Sequence, residues 1–192
     1  MLLNSRSHAY SLAISLAVLV NLLSGVLKAQ QDAPNRYQIS ERAAAIHQRA
    51  YVFDGHNDLP WEVRTKTTKL FDEFDISKSQ PKLHTDIERL RQGNVGAQFW
   101  SVYVPVETIA AGNAFQTTKE QIDLVHKMIA RYPETFELAL DAQDVQRIEA
   151  KGKIASLIGM EGGHSIEGSI GKLRQLHAMG ARYMTLTPVS YT

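Results

Sequence analysis

His56 and Asp58 stand as His-x-Asp directly after a short β-branched and aromatic run, Tyr51-Val52-Phe53-Asp54, that reads as a strand ended by Gly55. If extended geometry continues, residues i and i+2 point to one side. An imidazole nitrogen and a carboxylate oxygen then converge at the carboxyl end of a strand, where α/β sheets and barrels hold ligands and metals. Nitrogen plus oxygen ligation suits zinc or another first-row divalent ion. Gly55 beside the pair would allow close backbone approach. The pattern alone is weak, because 7 His and 9 Asp in 192 residues give roughly 0.3 such pairs by chance. A second copy, His84-x-Asp86, falls where Thr85-Asp86-Ile87-Glu88 reads as a capping box. Asp86 is therefore assigned to the helix terminus rather than to an ion.

Glu161 is the third candidate ligand. It ends an almost wholly apolar run, Ile154 to Met160, and Gly162 and Gly163 follow. A carboxylate there needs a partner, because an unpaired buried charge is expensive. A metal ion is one partner and a backbone donor at the following turn is another. His164, in the loop, is read as a non-ligand, and His47, His126 and His177 as solvated or packed helix residues. Trp61 and Tyr103 are candidates for the wall of a pocket beside His56 and Asp58. Gly-x-Gly-x-x-Gly, P-loop and Gly-x-Ser-x-Gly patterns are missing, which argues against nucleotide cofactors and a serine hydrolase. The sequence has 0 Cys, so thiolate ligands, disulfides and cysteine nucleophiles are excluded. With 21 basic and 20 acidic residues the net charge is +1, giving no electrostatic case for nucleic-acid binding.

The elements that must position these residues alternate. Helices are expected from Ser40, from the box at Thr85 to Gly93, from Thr118 to Pro133, from Asp141 to Gly152 and from Ser169 to Gly180. Strands are expected at 51–54, 95–104, 136–140, 154–160 and 183–187. Residues 62–82 read as a polar, irregular excursion. Strands alternating with helices argue for a parallel α/β sheet, and a strand apolar on both faces for one buried on both sides. Ahead of this lies Arg6, then an apolar run from Ala9 to Leu27, then Ala29, which together read as an export signal over residues 1–29. A retained membrane anchor is the alternative, since the run is near the ~20 residues that span a bilayer. Residues 30–39 read as a linker and 40–192 as the folded domain. Export would place the protein in the periplasm, outside the cell or at a membrane.

Several ordered motifs resemble the membrane dipeptidase (renal dipeptidase) family of zinc peptidases. These are Asp54-Gly55-His56-Asn57-Asp58-Leu59-Pro60-Trp61, Gln98 to Tyr103, Tyr132 to Phe136, Ile158 to Ile166 and Arg182 to Thr187. The resemblance implies a partial (β/α)8 TIM-type barrel, about the first five β-α units, truncated. It implies two zinc ions, His56 and Asp58 binding one and Glu161 bridging both, with a shared water attacking a dipeptide's carbonyl. Dipeptide substrates, membrane association through the N-terminal segment and homodimers are the partners it implies. The chain departs from the family where Pro188 follows Thr187, in place of a substrate-contacting histidine. It also ends before the family's two later histidine ligands and its aspartate acid/base. This chain is therefore expected to hold at most one partial zinc site and no complete catalytic set. The alternatives are a non-catalytic α/β fragment and another metal-dependent barrel amidohydrolase.

Overall fold

The computed structural model describes residues 39–187. The chain divides into two units, Met1–Ala44 and Ala45–Thr192. The expected export signal, all of the linker but Ile39, and Pro188 lie outside the described residues. Of the first unit, the structure describes the start of helix α1, Glu41–Arg49, where Ser40 Oγ accepts from the Ala43 amide as expected of a cap. The second unit carries everything that follows.

Among the described residues five strands form one sheet, and every pairing is parallel: β1 (Val52–Asn57), β2 (Val95–Tyr103), β3 (Phe136–Leu138), β4 (Ile154–Glu161) and β5 (Ala181–Met184). The helices are α2 (Leu59–Lys66), α3 (Ile87–Gln92), α4 (Glu107–Ala111), α5 (Ala114–Arg131), α6 (Ala142–Glu149) and α7 (Ile170–Ala178). The alternation read from the sequence is thus the architecture, but the strands do not follow in strict order. The path is β1-β2-β4, and β3 and β5 share the far edge of β4. β3 pairs only along Ile154 to Ser156, which leaves the end of β4, from Ile158 to Met160, for β5. A three-residue side strand therefore sits beside four strands in barrel-like succession.

The strand alternation separates two faces. Trp100 and Val102 of β2 and Ile154, Ile158 and Met160 of β4 join the main core with Ile122, Val125 and Met128 of α5. Ala97, Phe99, Ala155 and Leu157 face the other way, and Val145 and Ile148 of α6 cover their amino-terminal end. All eight residues of β4 are buried, as expected of a strand covered on both sides. The carboxyl end of that second face, at Ser101, Tyr103, Gly159 and Glu161, is where polar side chains gather.

Several boundaries differ from expectation. β1 runs through Gly55 to Asn57 rather than stopping at Gly55. The stretch expected to be irregular, 62–82, opens inside α2, which has Pro60 in its first turn, and holds a short 3-10 turn at Leu70–Asp72. The α3 cap is Asp86, not Thr85, whose hydroxyl instead meets Asn57. Helix α5 begins at Ala114, and Thr118 is buried inside it with its hydroxyl donating to Ala114 O. β5 begins at Ala181 rather than Tyr183. Asp141 and Ser169 do cap α6 and α7. Among the described residues no helix is long and apolar enough to cross a membrane.

Candidate metal centre

β1 brings His56 to the site through an irregularity. Asp54 pairs with Gln98 and Asn57 with Trp100, so three steps on β1 match two on β2. One extra residue is accommodated at Gly55-His56, which bends the strand and re-aims its side chains. Asp54 Oδ1 accepts the His56 amide at 3.1 Å and holds that bend. A Cβ at Gly55 would meet nothing within 4 Å, so the close backbone approach expected there is not what the structure uses.

Asp58 arrives by a different route from the simple i, i+2 alternation. It sits at the N-cap of α2 with helical-region φ, yet its carboxylate makes no capping bond. Asn57 takes that task, its Oδ1 accepting from Leu59 N at 3.0 Å while its amide donates to Thr85 Oγ1 at 3.0 Å. The Asp58 carboxylate is thereby left to face His56, with Oδ1 3.1 Å from Nε2. Glu161, the last residue of β4, presents Oε2 3.4 Å from the same nitrogen. Ser101, fully buried on the neighbouring β2, donates to that Oε2 at 3.1 Å.

One ligand atom from each of His56, Asp58 and Glu161 lies within 4.8 Å of the other two. Two carboxylates and an imidazole at this range repel unless a proton or cation sits among them, and Glu161 is only 8% exposed. The Ser101 hydroxyl is a neutral donor, so a compensating charge at Glu161 would come from a cation or from His56 Nε2 when that ring is protonated. Ligand atoms about 2.1 Å from a tetrahedral zinc lie about 3.4 Å apart. The separations of 3.1 and 3.4 Å match that spacing. The donor set, nitrogen plus carboxylate oxygen with no sulfur, fits zinc or a similar divalent ion.

Trp61 and Tyr103 meet edge-to-face with ring centres 5.0 Å apart. With His56, Asp58, Glu62 and Glu161 they line an open cavity of about 310 Å³. Both pocket residues read from the sequence are therefore beside the three ligand candidates. The other candidates lie elsewhere among the described residues. Asp86 is buried and accepts from Arg89 N, Arg89 Nε and Gln80 N. His126 Nε2 bonds Met179 O, and His164 Nε2 bonds Val104 O. His84 lines an adjoining cleft of about 290 Å³ without joining the three ligands.

Asn57, Ser101 and Tyr183 were not singled out by sequence reasoning. Tyr183 OH donates to Gly55 O at 3.2 Å and lies 3.5 Å from His56 Nδ1. Burial, then the negative charges of Glu161, Asp58 and Asp54, push its phenol pKa above the usual tyrosine value. Neutral side chains such as these carry no spacing rule that marks them as supports. Ser101 alone had a legible signal: it lies two residues before Tyr103 and so on the same strand face.

Comparisons with known proteins give the family. Residues 40–192 match the family described as membrane dipeptidase, peptidase family M19. Dipeptidase verJ of Clonostachys rogersoniana is 41% identical over 145 residues, covering 71% of this chain and 37% of that protein. The chain thus spans little more than a third of that relative. The crystal structure of dipeptidase AC, a metallopeptidase of family M19, superposes with a TM-score of 0.64 at 23% identity, over 71% of this chain and 42% of the other. A metallopeptidase from Rhodobacter sphaeroides, liganded with a phosphinate mimic of L-Ala-D-Ala, gives 0.61 at 22% identity, over 70% and 44%. At that identity the two structures speak for the fold, and the motif-bearing match over 40–192 carries the relationship: the chain belongs to the membrane dipeptidase family.

Proposed function

We propose that this chain carries the first-ion half of the zinc site of an exported dipeptidase, and that the whole protein hydrolyses the peptide bond of dipeptides. The observation that carries the reading is the convergence of His56, Asp58 and Glu161 at the carboxyl ends of β1 and β4. His56 and Asp58 would hold one ion, and Glu161 would reach that ion and a second one. Bound zinc would supply a Lewis acid that polarises a peptide carbonyl and makes water acidic near neutral pH. Ser101 fixes the carboxylate of Glu161 by its hydrogen bond, and Asp54 fixes the bend that carries His56. Trp61 and Tyr103 offer an apolar wall to a substrate side chain, in a cavity near the lower end of ligand-pocket sizes. The phosphinate dipeptide mimic bound by the similar Rhodobacter enzyme supports a dipeptide as the substrate class. Residues 1–29 would direct export and leave the protein periplasmic, extracellular or membrane-associated.

Calorimetric titration of the metal-free 192-residue chain with zinc is expected to show about one ion per chain. His56→Ala is expected to abolish it. Equal zinc binding by wild type and His56→Ala would overturn the site. Gly-D-Ala hydrolysis by this chain is expected to stay below detection, because the described residues gather ligands for one ion only. Measurable cleavage abolished by His56→Ala would overturn the half-site reading in favour of a complete one.

A further inference from the structure

Tyr183 reaches across the sheet from β5 to β1. Its backbone pairs beside Gly159 of β4, and its ring folds over that glycine. A Cβ at Gly159 would fall inside the Tyr183 ring, so only glycine permits this path. Beyond Gly159 the ring meets Phe99 of β2, with centres 4.8 Å apart, and Phe99 stacks on Phe53 of β1 at 5.8 Å. The phenol then arrives at Gly55 O and His56 Nδ1. A phenol has one proton. It is committed to Gly55 O at 3.2 Å, so a lone pair of the oxygen faces Nδ1.

We infer that Tyr183, seated by Gly159, is a positioning residue for His56: once an ion lies among His56, Asp58 and Glu161, its oxygen accepts from Nδ1–H and leaves the Nε2 lone pair to the ion. A metal-bound histidine usually needs such a partner on its second nitrogen, which fixes both tautomer and ring orientation. Other such systems use a carboxylate, a backbone carbonyl or water. Here a neutral phenol does it, and Gly55 O orients the phenol in turn. The two-step link, Gly55 O to Tyr183 to His56, starts and ends on the same bend of β1. The ligand and its support are thus locked to one backbone segment. The inference deepens the zinc reading and rests on it.

Tyr183→Phe keeps the ring packing and removes only the oxygen, so a purely packing role predicts no change. Two measurements decide. In the zinc-loaded chain, nitrogen–proton NMR should show the Nδ1–H of His56 protected from exchange with solvent, and Tyr183→Phe should lose that protection. In calorimetric zinc titration, Tyr183→Phe should weaken binding by about 10-fold or more. Gly159→Ala, which pushes the ring away while keeping the hydroxyl, should reproduce both effects. Unchanged protection of the His56 Nδ1–H in Tyr183→Phe overturns the inference, whichever way the zinc titration falls. Absence of zinc binding by wild type would overturn the metal reading and the inference with it, whereas zinc binding that Tyr183→Phe leaves unchanged would overturn the inference alone.

Discussion

The three ligand candidates bring two carboxylates to one imidazole nitrogen, and that sets opposite demands on stability and metal binding. Glu161 is nearly buried and takes one hydrogen bond from Ser101, while Asp58 and His56 crowd its Oε2 from the open side. A buried carboxylate without a full counter-charge costs stability, and a neutral side chain of the same shape avoids that cost. Glu161→Gln in the metal-free chain at about pH 8 is therefore expected to unfold at the same or a higher urea concentration than wild type. With saturating zinc the order should reverse, because only the carboxylate gains from the ion. A metal-free Glu161→Gln that is clearly less stable would mean the carboxylate has a structural partner instead. Ser101→Ala removes the donor but keeps the charge. It should lower stability by about 1–3 kcal/mol and weaken zinc binding by about 10-fold, measured by urea unfolding and by titration.

At the level of elements, the clearest contrast is between two aspartate caps. Asp141 starts α6 with one bond, from Asp144 N at 2.8 Å, and is exposed. Asp86 starts α3 and does more. Burial works against its charge, but Arg89 and the amides of Gln80 and Arg89 hold its pKa below the usual value. Arg89 in turn donates to Gln80 O and Leu83 O, so this one carboxylate gathers the whole turn from 80 to 89. Asp141→Ala should cost about 1 kcal/mol, and Asp86→Ala about 2–3 kcal/mol because a buried amide and a guanidinium lose their acceptor. Urea unfolding of both variants gives the comparison, and equal losses would refute the larger role for Asp86. These caps were legible in the sequence, as were the apolar strands, because side-chain type and period suffice to mark them. Residues 59–66 were not legible as a helix. α2 is short, polar on much of its surface, and held by Leu59 and Val63 in the core, a tertiary fact. Of the site, His56, Asp58 and Glu161 could be read because ligand chemistry restricts residue type. The β1 irregularity that aims His56 could not, since it depends on the register against β2.

For the molecule as a whole, acid should be the sharpest stress, and the carboxylates say where it acts. Asp75, Asp86, Glu120 and Glu137 all have pKa values held below the usual carboxylate value in the folded state. Arg64 does this to Glu120 and Arg147 to Glu137, each mainly through a side-chain hydrogen bond. Asp75 is the extreme case. The Ser77 hydroxyl, against the opposing pull of burial, lowers it to about 2, helped by Ser77 N, Lys78 and Tyr132. A folded-state pKa below the unfolded one means that the folded chain binds fewer protons. The stability that follows is fully present above the unfolded value near 4 and is lost as pH falls toward 2. Asp75 also ties the segment after the 3-10 turn to the end of α5, since its Oδ1 accepts from Tyr132 OH and that hydroxyl accepts from Ile76 N. Asp75→Asn is accordingly expected to cost about 1–2 kcal/mol at pH 7. Near pH 2.5, where the wild-type carboxylate has lost most of that advantage, the variant and wild type should nearly converge in urea unfolding. A gap that stays the same at both pH values would show that Asp75 stabilises the fold through its shape and neutral hydrogen bonds rather than through its charge.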